Sequence, residues 1–190
     1  MPKSLLPWCK LYEQYKYQAL CLDIETSRFN GPISILGLYQ PSEGEMDCTQ
    51  LIKGKNLTHE DIANAMSACK LIITYNGIKF DLPMIKKEFP GAIPKVPIID
   101  LFLFAEKLKV RTNLKVLENT FDIVRPEPLS TKRGKAIKRW RRYIKYGDQQ
   151  ALQNLLEYNK QDTINLYLLA EKLVSMAIQQ AQMENQVLTH

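Results

Sequence analysis

Three apolar runs of strand length, ALCLDIET (19–26), PISILGLYQ (32–40) and MDCTQLI (46–52), follow one another across short connections that carry glycine or proline. Connections that short can fold a chain back on itself. They cannot carry it over a sheet to begin a parallel neighbour, which takes a dozen or more residues. The three runs are therefore expected as adjacent antiparallel strands. Two further runs, LIITY (71–75) and KVPII (95–99), each follow a stretch with helical pattern. LTHEDIANAMSACK precedes the first, with Thr58 as its cap and Asp61 three residues on. DLPMIKKEF precedes the second, with Asp81 near the cap and Pro83 in the first turn. A meander followed by such crossovers predicts an α/β fold, a mixed sheet with helices on its faces, in one domain over residues 1–190. Beyond it, Asp100 opens a helix through LFLFAEKLK and TNLKVLENTF forms another. FDIVRPEPLSTKRG reads as a polar loop, and KAIKRWRRYIKY and DQQALQNLLEYNKQDTINLYLLAEKLVSMAIQQ close the chain as helices.

The first strand ends in an unusual way for a buried segment. Side chains alternate faces along a strand, so Leu20, Leu22 and Ile24 share one face while Cys21, Asp23 and Glu25 share the other. Two carboxylates thus point the same way where a packed sheet begins to open. Desolvating an ion costs several kcal/mol after relaxation, so a strand end that has reached solvent and a strand end that holds a cation are both open readings. The last helix adds a second anomaly. At about 100° per residue with Leu155 at zero, Leu173, Leu166 and Leu169 define an apolar stripe and Asp162 falls inside it at about 340°. Tyr158 sits beside Asp162, and Lys160 and Glu171 take the opposite face. A carboxylate aimed at a core needs a partner, which is either a basic side chain or a metal. Asp81 has two readings of its own, an N-cap or a residue at the carboxyl end of a strand, where open α/β sheets gather ligands. Asn76 and Phe80 share that place, and Asn76-Gly77 also reads as a turn chosen for its backbone.

Asp23, Glu25, Asp81 and Asp162 form an oxygen-only set, the chemistry that Mg²⁺ and Mn²⁺ prefer. Four acids can hold two divalent cations about 3.5–4 Å apart, the spacing used for in-line phosphoryl displacement. The cysteines, Cys9, Cys21, Cys48 and Cys69, include no CxxC pair, and only His59 and His190 could complete a Cys/His site. Zinc is not expected. Cys21 and Cys69 read as core thiols suited to a reducing cytoplasm. No apolar run is long enough to span a bilayer, and the N-terminal stretch carries no signal-peptide pattern. The net charge of +6 over 190 residues, with a pI near 9.1, points toward a polyanionic partner.

DIE at 23–25, NxxxFD at 76–81 and YxxxD at 158–162 resemble the three exonuclease motifs of the DEDD superfamily. The tyrosine of the third motif is that of the DEDDy branch, similar to the proofreading exonuclease domains of family B DNA polymerases. LKVLENTF, WRRYIKYGD and EYNKQDTINLYLLAEKL resemble the YprB-like predicted ribonuclease family more closely. The likeness runs from about residue 18 to 175. It implies an RNase H-like fold whose central mixed sheet has three antiparallel and two parallel strands. It also implies 3′→5′ hydrolysis of nucleic acid to nucleoside 5′-monophosphates by a two-metal mechanism. On that resemblance Asp23, Glu25, Asp81 and Asp162 are the metal ligands. Tyr158 orients the attacking water, since a tyrosine with its ordinary pKa of about 10 is a poor base at neutral pH. Asn76 and Phe80 then support the site or touch the substrate.

Between Lys132 and Lys145 lie eight Lys or Arg residues and no acid. Ala136, Ile137, Trp140 and Ile144 recur among them at helical spacing, which predicts an amphipathic helix with a basic outer face. Lys132, Arg133, Lys135, Lys138, Arg139, Arg141, Arg142 and Lys145 are candidates to track a single strand into the acidic site, because phosphate neutralisation supplies most non-specific affinity. A solvated face is the plainer reading. Asp100 reads as an N-cap and Lys79 as a surface lysine. DNA and RNA both remain open as substrates. The competing functions are a catalytically silent nucleic-acid-binding module, a structure-specific endonuclease on the same fold, and a structural subunit that binds protein through the basic helix.

Overall fold

The computed structural model describes residues 5–41, 48–125 and 135–187. Strands β1 (Ala19–Thr26), β2 (Ile33–Tyr39), β3 (Cys48–Ile52), β4 (Leu71–Thr74) and β5 (Ile98–Asp100) form one sheet in the order β3-β2-β1-β4-β5. The β1–β2 and β2–β3 pairs are antiparallel, and the β1–β4 and β4–β5 pairs are parallel. This is the mixed sheet that the connection lengths predict. Met46 and Asp47 of the expected third strand lie outside the described residues. The helices are α1 (Leu6–Tyr15), α2 (His59–Ala65), α3 (Asp81–Glu88), α4 (Leu101–Lys107), α5 (Leu114–Thr120), α6 (Lys135–Tyr146) and α7 (Gln149–Val187).

The alternation along β1 sorts its side chains between two cores. Ala19 and Cys21 join Ile73 and Ile99 beneath α7, packing on Leu166, Leu169 and Leu173 with Phe104 of α4 and Tyr12 of α1. Leu20 and Leu22 join Ile72 and Leu36 on the other face, against Ile62 of α2 and Leu82 and Ile85 of α3. Asp23 and Glu25 continue the α7 side of the strand. A third cluster, Ile35, Trp140, Leu152 and Leu155, seats α6 on β2 and the start of α7.

Several elements differ from the sequence expectation. Helix α1 is not foretold by the N-terminal stretch, yet Leu5, Cys9 and Tyr12 are buried and the Tyr12 hydroxyl donates to Glu171 of α7. Glu171, assigned to a solvated face, is therefore half-buried under α1. Helix α2 stops at Ala65 rather than running to Lys70, because the Ser67 hydroxyl donates to the Asn64 carbonyl at 2.8 Å and diverts the ladder. Strand β5 is shifted to Ile98–Asp100 because Pro94 and Pro97 lack the amides a ladder needs. Ile144 is 63% exposed and belongs to the outer face of α6, whereas Trp140 is core as its spacing predicts. The Thr58 cap is as expected, with its hydroxyl accepting from Asp61 N at 3.1 Å.

Helix α7 comes closest to the sheet at Gly37, which pairs with Asp23 in the β1–β2 ladder. A Cβ at Gly37 would lie 2.4 Å from both Asn159 Oδ1 and Thr163 Oγ1. Two residues along the ladder, a bulge between Glu25 and Thr26 shifts the register and puts Ile33 and Ile35 on opposite faces. Gly37→Ala is expected to cost about 1–3 kcal/mol as an overpacked contact, read as a lower urea midpoint with an unchanged slope.

Candidate active site

Asp23 and Glu25 are brought from β1, and Asp162 from α7, so that carboxylate oxygens of all three lie within 4.8 Å of one another. The helix side of this meeting is fixed one turn before Asp162. Asn159, fully buried, donates from Nδ2 to Asp23 Oδ2 at 2.9 Å and accepts from Gln50 Nε2 at 2.8 Å. Gln50 also donates to the Leu156 carbonyl at 2.8 Å. The strand end and the helix are thereby held in register by two neutral amide side chains.

Asp81 stands beside the three rather than among them. It opens α3, but Phe80 occupies the cap position and the Asp81 carboxylate does not cap its own helix. It reaches across to β1 and accepts from Ile24 N at 3.2 Å. Strand β4 ends at Thr74, so this carboxylate takes over the partner that a longer β4 would have supplied. The turn before it is set by Asp100, which is 1% exposed. Asp100 Oδ1 accepts from Asn76 N at 2.7 Å and Phe102 N at 3.0 Å, and Oδ2 accepts from Ile78 N at 3.1 Å. Asp100 is thus an N-cap and a turn anchor. Asn76 adopts a left-handed φ of 60°, as the turn reading of Asn76-Gly77 requires. Asn76, Lys79 and Phe80 line a cleft of about 740 Å³ with Tyr75, Phe102 and Arg111, and the Phe80 ring is 55% exposed.

The acids are held under mutual stress. Burial pushes the Asp23 carboxyl well above the carboxylate range, and the charges of Asp162, Asp81 and Glu25 add to it. Burial, Asp162 and Asp81 raise Glu25 to about 8, with Arg139 pulling the other way. Burial raises Asp81 to about 6 against the Ile24 amide. Burial also raises Asp162, opposed by Arg125 and by a hydrogen bond with Tyr158. A hard divalent cation is what this all-oxygen donor set fits, because its charge offsets the burial and the repulsion that favour the protonated forms.

The basic-partner reading of Asp162 holds. Its Oδ1 is ion-paired with Arg125 Nη1, and its carboxylate also faces Asp23 and Glu25. Arg125 in turn is gripped by Glu118, with Nε to Oε2 and Nη2 to Oε1 both at 2.6 Å. Neither residue stood out in the sequence, since Arg125 falls in a polar loop and Glu118 looks like a surface acid on α5. The Tyr158 ring lies beside Asp162, with Lys115 Nζ 5.0 Å and the Arg125 guanidinium 5.9 Å from its centroid.

The basic helix divides by role. Lys135, Lys138, Arg141 and Lys145 are exposed on α6. Arg139 is half-buried, acts on Glu25, and has its Nη1 buried without a hydrogen-bond partner among the described residues. Arg142 donates from Nε to Asp148 Oδ2 at 2.8 Å, and Asp148 Oδ1 caps α7 by accepting from Ala151 N at 2.9 Å. Arg142 is thereby tied to the α6–α7 junction. Lys132 and Arg133 lie outside the described residues. Asn159, Gln50 and Gly37 also escaped the sequence reading; only the glycine inside an apolar strand carried a signal, that of a close backbone approach.

Residues 20–174 match the RNase_H_2 family, described as RNase_H superfamily. The fold is similar to a family B DNA polymerase from the hyperthermophilic archaeon Pyrobaculum calidifontis, with a TM-score of 0.57 and 17% identity over 82% of this chain. The match takes in 24% of that polymerase, so the chain spans about a quarter of its length. Two crystal structures of the EXD2 exonuclease domain also match at 18% identity, one soaked in Mg and GMP and the other in Mn and Mg. Their TM-scores are 0.35 and 0.36, over 85% and 95% of this chain and 86% and 89% of theirs. No curated protein sequence matches the chain. At these identities the likeness concerns the fold.

The raised carboxyls make the metal-free protein sensitive to pH. Glu25 rises from 4.5 to about 8 and Asp81 from 3.8 to about 6, so the folded state holds protons that the unfolded chain has released. Stability then falls as pH rises from about 4 to 8, by up to ~1.4 kcal/mol per pH unit for each proton. In EDTA the urea midpoint is expected to decline between pH 5 and 8, to decline less in Glu25→Gln, and to recover with Mn²⁺. A midpoint rising with pH across that range contradicts the electrostatics.

Proposed function

The chain belongs to the RNase_H superfamily, and from that premise we propose that it is a divalent-metal-dependent 3′→5′ exonuclease of the DEDDy type, close to the YprB-like ribonucleases. Residues 18–175 form its catalytic core on this reading, and its substrate is a single-stranded 3′ end of DNA or RNA. The observation that carries the proposal is the convergence of Asp23, Glu25 and Asp162 on one point, with Asp81 alongside. A structural role gives no reason to crowd repelling carboxylates at the carboxyl end of a central strand, whereas phosphodiester hydrolysis does.

Asp23, Glu25, Asp81 and Asp162 would hold two ions, Mg²⁺ or Mn²⁺. When bound, the ions supply the positive charge that neutralises the scissile phosphate and favours ionisation of a water. The chain's own residues do the rest. Asn159 holds the Asp23 carboxylate in place through Nδ2. Tyr158, fixed beneath Lys115 and Arg125, offers its hydroxyl to orient the attacking water. Arg139, reaching toward Glu25 with a free Nη1 donor among the described residues, is placed to hydrogen-bond a phosphate oxygen. Lys135, Lys138, Arg141 and Lys145 give the exposed positive surface that a polyanionic strand needs. The Phe80 ring and Asn76, in the wall of the 740 Å³ cleft, provide a stacking face and an amide for a base. Four buried cysteines, none joined in a disulfide, suit a reducing cytoplasm.

The test is a 5′-labelled single-stranded DNA or RNA oligonucleotide incubated with Mg²⁺, Mn²⁺ or EDTA. A ladder shortening from the 3′ end is expected with metal alone. Asp162→Asn and Asp23→Asn should each reduce the rate by about 10³-fold or more, as when a group acting only in the transition state is lost. Internal cuts would favour the endonuclease. Salt-sensitive binding without cleavage under either metal would favour the silent binding module.

A further inference from the structure

We propose that Glu118 and Arg125 are positioning residues that tune the cation affinity of the acid cluster in opposite directions, both acting through Asp162; the inference rests on the metal-dependent reading above. Glu118 is 1% exposed and points away from any role as a ligand. Its Oε1 accepts from Arg125 Nη2 at 2.6 Å and from Asn165 Nδ2 at 2.9 Å, and its Oε2 accepts from Arg125 Nε at 2.6 Å. A guanidinium presents a fork that matches a carboxylate bidentately. Glu118 occupies the Nε/Nη2 edge of that fork. Asp162 receives only Nη1, on its Oδ1. The second oxygen of Asp162 is thereby spared the arginine's grip.

Burying Glu118 is costly unless it does something for its partner, since a buried ion pair is weak support for stability. What it does is divide the charge of Arg125. Without Glu118, the full positive charge would face Asp162, and the vacated edge could close on that carboxylate bidentately. Asp162 would then be lost to a cation. Without Arg125, the cluster would face a divalent ion with one positive charge fewer nearby. The two substitutions therefore differ in sign, which a purely structural pair would not.

Mn²⁺ binding, measured by electron paramagnetic resonance on the intact protein without substrate, reads this directly. Glu118→Gln is expected to weaken Mn²⁺ binding by at least about tenfold, and Arg125→Gln to tighten it by at least about tenfold, a lower bound for a unit charge within about 10 Å of a divalent ion at an effective dielectric near 20. The double variant removes both buried charges without orphaning either, and should also bind more tightly than the wild type. Circular dichroism and the urea midpoint establish that each variant is folded. Shifts of the same sign in both single variants, or no shift in folded ones, would overturn the inference while leaving the metal site standing. If a single variant does not fold, failure of the double variant to tighten overturns it equally. A wild type that binds no Mn²⁺ removes the metal reading itself.

Discussion

The approach of α7 to the sheet at Gly37 is the contact on which the acid cluster depends. A helix packed on a sheet is normally held off by the side chains of the strand beneath it. At Gly37 there is none, and the space a Cβ would fill is taken by Asn159 and Thr163. Asn159 is thus near enough to β1 to hold Asp23, and Asp162 follows one turn later on the same helix face. The cluster is a product of backbone proximity first and of charge second.

Charge then has to be managed. Burial raises all four carboxyls, and repulsion within the cluster adds to it at Asp23 and Glu25. Two arginines approach from different sides: Arg125 pairs with Asp162, and Arg139 lowers the cost of ionising Glu25. Glu118 takes Nε and Nη2 of Arg125, whose Nη1 meets Asp162 as an ion pair outside hydrogen-bond geometry, and Arg139 Nη1 is buried without a hydrogen-bond partner among the described residues. The acids are thus only partly neutralised by the two arginines.

Much of this was legible in the sequence because it depends on period and spacing. The two-residue alternation of ALCLDIET puts Asp23 and Glu25 together. The helical period of the last segment puts Asp162 in an apolar stripe. Short connections fix the antiparallel half of the sheet. What was hidden lies in contacts between segments distant in the chain. Glu118 and Arg125 belong to an unremarkable helix and a polar loop, and only the fold brings them to Asp162. Asn159 reads as a helix residue of ordinary polarity until Gly37 is seen opposite it. Helix α1 has weak signals of its own and is held by Tyr12 and Leu5 packing on elements that come later. Arg142 and Ile144 show the limit of spacing within α6, where the junction with α7 decides which side chains are occupied.

Tyr158, Asn159, Asp162, Leu166, Leu169 and Leu173 all ride on one uninterrupted helix. The acid cluster and the core therefore share a single phase. Inserting or deleting one residue between Asp162 and Leu166 would turn everything beyond it by about 100° relative to the acids. Either the leucines would leave the core or Asp162 would leave the cluster. Over this stretch the chain can change its side chains far more freely than its length.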